Sequence, residues 1–255
     1  MHPRSVGLST DLGLLATRGT IVDRGNYLVA RTPEDPGYYF GNLLVLAAPP
    51  QVGEVAYWIR RFADELGRDP QIRHVTLRWD GIAGDTGARE ELEAAGFKLE
   101  IDHVMTAGRV TATAVGYEIR ALAPDEVPAI ASLGFAIDDR HDESYRQFLQ
   151  RRAGWQRALV EANKATFWGA FDAGELVGSL GLVPLGDVAR YQDVQTAESH
   201  RKRGIASALI AAAAARCPCE RLVIVAMPGS EAQRVYERVG FTILERTVSA
   251  CRYPG

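Results

Sequence analysis

The sequence predicts an α/β (α+β) protein of two related domains, each a mixed, mostly antiparallel sheet flanked by helices. Three observations carry this expectation. The order strand, helix, strand, helix, strand occurs twice along the chain. The later helix of each set closes on Gly-Phe, at Gly96-Phe97 and again at Gly240-Phe241. Between the sets runs "TAGRVTATAVG" (106–116), small and polar, which reads as a linker and divides the chain into 1–115 and 116–255.

In the first set, "GYYFGNLLVLAAPP" is strand-like and "VGEVAYWIRRFADEL" has apolar residues at helical spacing. "HVTLRWD" is a strand, "GAREELEAAGF" a helix and "KLEIDHVMTA" a strand. Glycine accepts the left-handed conformation just past a helix, and the following phenylalanine packs back on it. The second half opens with the strand of "YEIRALAPDEVPAIASL", which runs into a Pro-Asp helix start. A helix follows over 144–162, then two strands around a tight turn at Asp172–Glu175. "ARYQDVQT" (189–196) reads as a strand, 204–217 as a helix stopping before Pro218, and "RLVIVAM" (221–227) as a buried strand. "SEAQRVYERVGF" is the last helix and "TILERTVSACRY" the last strand, placed with the second domain.

Composition is that of a globular protein: 255 residues, 47% hydrophobic, 24% charged, formal net charge −3. No stretch is both long and apolar enough to span a membrane. The segment "MHPRSVGLSTDLGLLATRG" has no basic start followed by an apolar core, so no signal peptide is expected. Cys217, Cys219 and Cys251 are sparse and odd in number, which suits a reducing cytoplasm. "CPC" reads as a helix end, and no metal site is expected. The mildly acidic balance counts against general nucleic-acid binding.

The stretch "HRKRGIASAL" (200–209) sets Arg201, Lys202 and Arg203 where a helix is about to begin. A helix N-terminus is partially positive, so cations there are disfavoured unless something offsets them. One reading is a solvated basic cluster. The other is a bound anion: Gly204 lets the backbone turn inward, Ala206 and Ser207 keep the first turn small, and successive amides face a phosphate.

These residues resemble a known family. "RKRGIA" is similar to the Arg/Gln-x-x-Gly-x-Gly/Ala loop of the GCN5-related N-acetyltransferase (GNAT) superfamily. "VQTAESHRKRGIASALI" resembles that family's fourth strand, loop and long helix, and "AQRVYERVGF" its later helix. The resemblance covers roughly 116–250. The first half resembles the same fold more faintly and has "PPQVGEVAY" where the loop should be, so it reads as a degenerate copy without the pyrophosphate site.

The resemblance implies a cytoplasmic N-acetyltransferase that moves an acetyl group from acetyl-coenzyme A, as cosubstrate, to a small-molecule or peptide amine by direct attack. The pyrophosphate would lie on the loop formed by Arg201, Lys202, Arg203, Gly204, Ile205 and Ala206, with Ser207 in the first turn. The pantetheine arm would pair with the strand at Val194, Gln195 and Thr196. Tyr236 would be the general acid for the leaving thiolate, or else a core aromatic beside Ala232, Val235 and Val239. For the base, Asp193 is the candidate, with Glu198, His200 and a water chain as alternatives. The family often has asparagine seven residues before this tyrosine, and the chain has Gly229.

Near the expected acceptor cleft, Asp138, Asp139, Asp142 and Glu143 suit a cationic amine or form a solvated loop, while Trp155 and Trp168 line the cleft or fill the core. The alternative to an enzyme is a non-catalytic coenzyme A or ligand sensor of the same fold. Nucleic-acid and membrane partners are not expected, and the assembly is a monomer or homodimer.

Overall fold

The computed structural model of the chain describes residues 1–254. It forms two compact units. The units do not follow a single cut at residue 115. Unit 1 holds Met1–Val104, Ala226–Pro228 and the chain from Ile243 onward, and unit 2 holds Met105–Val225 and Gly229–Thr242.

Unit 1 begins with α1 (Val6–Leu15) and the hairpin β1 (Thr20–Asp23) and β2 (Tyr27–Arg31). Then come β3 (Leu43–Leu46), α2 (Val55–Leu66), β4 (Val75–Trp79), α3 (Arg89–Ala94) and the start of β5 (Lys98–Ala107). β2 pairs antiparallel with β1 and β3, while β3 and β4 are parallel, joined by the α2 crossover. Alternation along β2 sorts the core. Leu28 and Ala30 face Leu8, Leu12 and Leu15 of α1, whereas Tyr27 and Val29 join Val55, Trp58, Phe62 and Leu66 of α2. Those four α2 positions recur at helical spacing, so one face of the helix is apolar.

The last strand, β11 (Thr242–Arg252), corrects the expected domain division. From Ser249 to Arg252 it pairs antiparallel with Arg78 to Val75 of β4. Its Glu245 is buried and caps α1, accepting from Ser5 Oγ (2.7 Å), Val6 N–H (2.8 Å) and Gly7 N–H (3.2 Å). Alternating apolar residues identify a strand but not its partner, which is why sequence order placed it with the second domain.

Unit 2 runs β6 (Glu118–Ala121), α4 (Ala129–Ile137), α5 (Glu143–Glu161), β7 (Thr166–Asp172), β8 (Glu175–Leu185) and β9 (Val188–Thr196). α6 (Ile205–Ala214), β10 (Arg221–Ala226) and α7 (Glu231–Val239) follow. Its strand order is β10-β9-β8-β7-β6, antiparallel except for β9 with β10, which α6 connects as a crossover. Each unit therefore carries one parallel crossover in a mostly antiparallel sheet. Both Gly-Phe endings have the expected geometry. Gly96 (φ +86°) and Gly240 (φ +112°) are left-handed, and Phe97 and Phe241 donate N–H to Leu92 and Tyr236 at 3.0 Å.

No helix among the described residues is long and apolar enough to cross a membrane. Among them, too, no group of three or more His, Cys, Asp and Glu side chains is placed to hold a metal ion.

Candidate active site

Two irregularities in unit 2 shape the site. The first lies in β9. Its ladder with β10 runs from Val188↔Arg221 to Arg190↔Val223 and stops there. On the other side, the pairing with β8 shifts between Ser179↔Gln195 and Gly181↔Gln192, so β9 holds one extra residue, and Asp193 takes a left-handed φ of +50°. Such a bulge bends a strand and increases its twist. Val194, Gln195 and Thr196 thus lie beyond the β10 ladder, with one strand edge unpaired.

The second irregularity is the start of α6. Lys202 (φ +62°) and Gly204 (φ +80°) are both left-handed, and no side chain caps the helix. The first intrahelical bond is Ala208 N–H to the Gly204 carbonyl (3.0 Å), so the N–H groups of Ile205, Ala206 and Ser207 precede the ladder. A Cβ on Gly204 would lie 3.1 Å from Val115 Cγ1. Amides turned together in this way form an anion-binding concavity.

A cavity of about 650 Å³ joins these features. Of the expected cofactor residues, Val194, Gln195, Thr196, Arg201, Lys202, Gly204, Ile205, Ala206 and Ser207 line it, and so does Tyr236. Arg203 does not; its Nη1 donates to Tyr117 Oη (3.3 Å). Sequence reasoning missed Arg234 and Arg238, which line the cavity from α7 and whose i, i+4 spacing is visible in "RVYER". With Arg201 and Lys202 they set four cations against one carboxylate, Glu231. His200 also borders the cavity, with Nδ1 2.8 Å from Ser199 Oγ and Nε2 3.1 Å from Asp172 Oδ2.

Tyr236 is held on α7, whose start is capped by Ser230 Oγ accepting from Gln233 N–H (3.1 Å). The tyrosine is 5% exposed, its ring centroid 6.4 Å from that of Phe241. Burial pushes its pKa up to about 12, so the phenol stays protonated throughout the neutral range.

Asp193 lies outside this cavity, and the engagement of its carboxylate corrects its expected role as base. Arg152 grips both carboxylate oxygens, Nε to Oδ2 at 2.9 Å and Nη2 to Oδ1 at 2.6 Å, and Gln156 Nε2 adds a bond to Oδ2 (2.5 Å). Both oxygens are thus committed to side chains of α5 in a bidentate, charge-assisted pair. It positions α5 against the bulge of β9. Three members of the acidic run are engaged within the protein. Asp138 pairs with Arg140, Asp142 caps α5 by accepting from Tyr145 N–H (2.9 Å), and Glu143 pairs with Arg146. Trp168 is a core residue, 4% exposed.

Unit 1 treats the corresponding loop differently. Pro49 and Pro50 have no N–H to offer, Gln51 N–H goes to Glu54 Oε2 (2.9 Å), and Gly53 N–H goes to Glu91 Oε2 (2.7 Å). The protein's own carboxylates thus take two N–H groups of this loop, while the first-turn amides of α2, like those of α6, carry no side-chain cap.

Residues 129–241 match the model of the acetyltransferase (GNAT) family. No curated protein sequence matches the chain. A functionally unknown conserved protein from Staphylococcus epidermidis is 12% identical, with a TM-score of 0.78 over 93% of this chain and 95% of that one. A GCN5-related N-acetyltransferase from Kribbella flavida is 16% identical, with a TM-score of 0.67 over 97% and 94%. A tandem GNAT protein from the clavulanic acid biosynthesis pathway is also 16% identical, with a TM-score of 0.58 over 100% and 91%. At such identities the likeness is one of fold, and it spans both halves as two GNAT-like domains. Residues 129–241 of this chain are a domain of the acetyltransferase (GNAT) family.

Proposed function

We propose that this domain transfers an acetyl group from acetyl-coenzyme A to an amine by direct attack. The observation that carries the reading is the 650 Å³ cavity itself. It joins uncapped helix amides, four cations and an unpaired strand edge, a match for a long ligand with phosphates at one end. Arg201, Lys202 and the α6 amides would hold the pyrophosphate, and Val194 to Thr196 the pantetheine arm. Coenzyme A supplies the activated thioester. As the N–C bond to the acceptor forms and the C–S bond breaks, the Tyr236 hydroxyl donates to the departing sulfur. A phenol of pKa about 12 is a weaker acid than a thiol near about 8.5, so it stabilises the thiolate by hydrogen bonding and solvent completes the protonation.

With Asp193 engaged, the acceptor reaches the site as a neutral amine and passes its second proton to water. The pH dependence follows. kcat/KM should rise about tenfold per pH unit below the acceptor's own pKa, and this limb should move when acceptors of different pKa are compared. Tyr236 must stay protonated, so its limb falls only as pH climbs through about 12, and none should be seen at pH 9–10. An acid limb fixed in place across acceptors would assign the proton to an enzyme base.

One observation favours a non-catalytic coenzyme A sensor instead: the engaged Asp193 leaves the site without a free carboxylate on β9. Thiol release from acetyl-coenzyme A across a broad amine panel, with coenzyme A affinity measured by calorimetry, separates the two. Tight binding without turnover on any amine selects the sensor. The prolines and the engaged Gln51 and Gly53 amides of the unit 1 loop predict one coenzyme A per chain, and native mass spectrometry finding two would refute that reading.

A further inference from the structure

We infer that the acceptor is a small amine bearing at most one positive charge on an apolar or aromatic body, seated in a second cavity between α4, α5 and β9. The inference rests on the acetyltransferase reading above. This cavity, of about 290 Å³, shares Ile137, Val194 and Gln195 with the larger one, so it meets the unpaired strand edge. Its volume is at the lower end of small-molecule pockets, about 300–1,000 Å³.

Much of its wall is apolar, with polar and charged groups along the rest. α4 contributes Ile130, Gly134 and Ile137 at helical spacing, and α5 contributes Phe148 and Leu149. The Tyr145 ring stacks with Phe148 (6.2 Å, 18°) and with Phe135 (6.4 Å, 27°), which fixes a broad aromatic surface.

Its charges are already matched. Two carboxylates border the cavity, Asp138 and Asp193, and each is held by both arms of a guanidinium. Arg140 reaches Asp138 with Nε and Nη2 at 2.9 Å each, and Tyr145 Oη adds a third bond at 2.9 Å. Arg152 and Gln156 hold Asp193 as described above. The Arg140 guanidinium keeps the Asp138 carboxyl well below the usual carboxylate range. A polycation entering here would have to displace an arginine from a bidentate pair and gain no more than the arginine loses. An apolar body loses nothing on entry and removes its own surface from water.

Gly134 offers the test. It is a buried residue of α4 outside the larger cavity, and an added Cβ would meet Gln195 Oε1 at 3.2 Å and the Leu149 methyls at 3.6 and 3.7 Å. A longer side chain there extends into the acceptor space. Thiol release and calorimetric binding to the coenzyme A complex are measured for 2-phenylethylamine, spermidine and kanamycin, with wild type, Gly134→Leu and Arg152→Gln.

The expected results are kcat/KM at least about tenfold higher for phenylethylamine than for either polycation, and phenylethylamine affinity at least about tenfold weaker in Gly134→Leu with coenzyme A affinity within about twofold. Arg152→Gln leaves Asp193 uncompensated and shifts the preference at least about tenfold toward spermidine. Preference for spermidine or kanamycin in wild type overturns the inference and leaves the transferase reading intact. Phenylethylamine binding that Gly134→Leu abolishes, without turnover on any amine, supports the cavity assignment and overturns the transferase reading. Phenylethylamine binding that Gly134→Leu does not weaken, or no binding at all, overturns the inference.

Discussion

Tyr236→Phe is expected to lower kcat by about 10²–10³ while leaving the fold and coenzyme A affinity close to wild type. The ring carries the packing: it sits against Phe241 in a buried position, and phenylalanine fills the same space. Only the hydroxyl is lost, and with it the donor to the departing sulfur. The magnitude is that of removing one aligned donor from a site where charge develops. Steady-state kinetics with the best amine, beside calorimetric coenzyme A affinity and a melting curve, make the measurement. Near-wild-type turnover would make Tyr236 a packing residue. Poor affinity with normal kcat at saturation would make it only a cofactor contact.

Gly204→Val should weaken coenzyme A binding by about 10- to 100-fold. A β-branched residue at φ +80° carries local strain of about 1–3 kcal/mol, and the new Cβ would press on Val115 Cγ1 at 3.1 Å. Relief requires the loop to turn over, which redirects the N–H groups of Ile205, Ala206 and Ser207 away from their common focus. Gly204→Ala shares the strain with less crowding and should fall between the two. Circular dichroism shows whether the variants fold. Unchanged affinity in a folded Gly204→Val protein would remove the anion site from this loop.

Most of the candidate site is legible in the sequence because it is written locally. Glycine, small residues and cations within "RKRGIA" specify one turn and one helix start, and Gly240-Phe241 locks the helix that bears Tyr236. What is illegible depends on partners distant in sequence. The bulge at Asp193 is set by register with β8, and the bond to Arg152 spans 41 residues, so nothing near Asp193 signals that its carboxylate is engaged. Glu91 closing the Gly53 amide is likewise a contact across 38 residues. α1 escaped notice for another reason. Six of its ten residues are buried, so it shows no polar face and no amphipathic period.

The placement of β11 bears on how the protein is made. β4 has left the ribosome long before its neighbour β11 exists, since the paired residues Arg78 and Ser249 are far apart in the chain. At about 5–20 residues per second, the delay is on the order of ten to thirty seconds. Throughout it the nascent first unit has an unfilled flank beside β4 and an α1 whose amides await Glu245. Exposed strand edges of this kind are where nascent chains aggregate, so the early-made half is the one that needs shielding during synthesis.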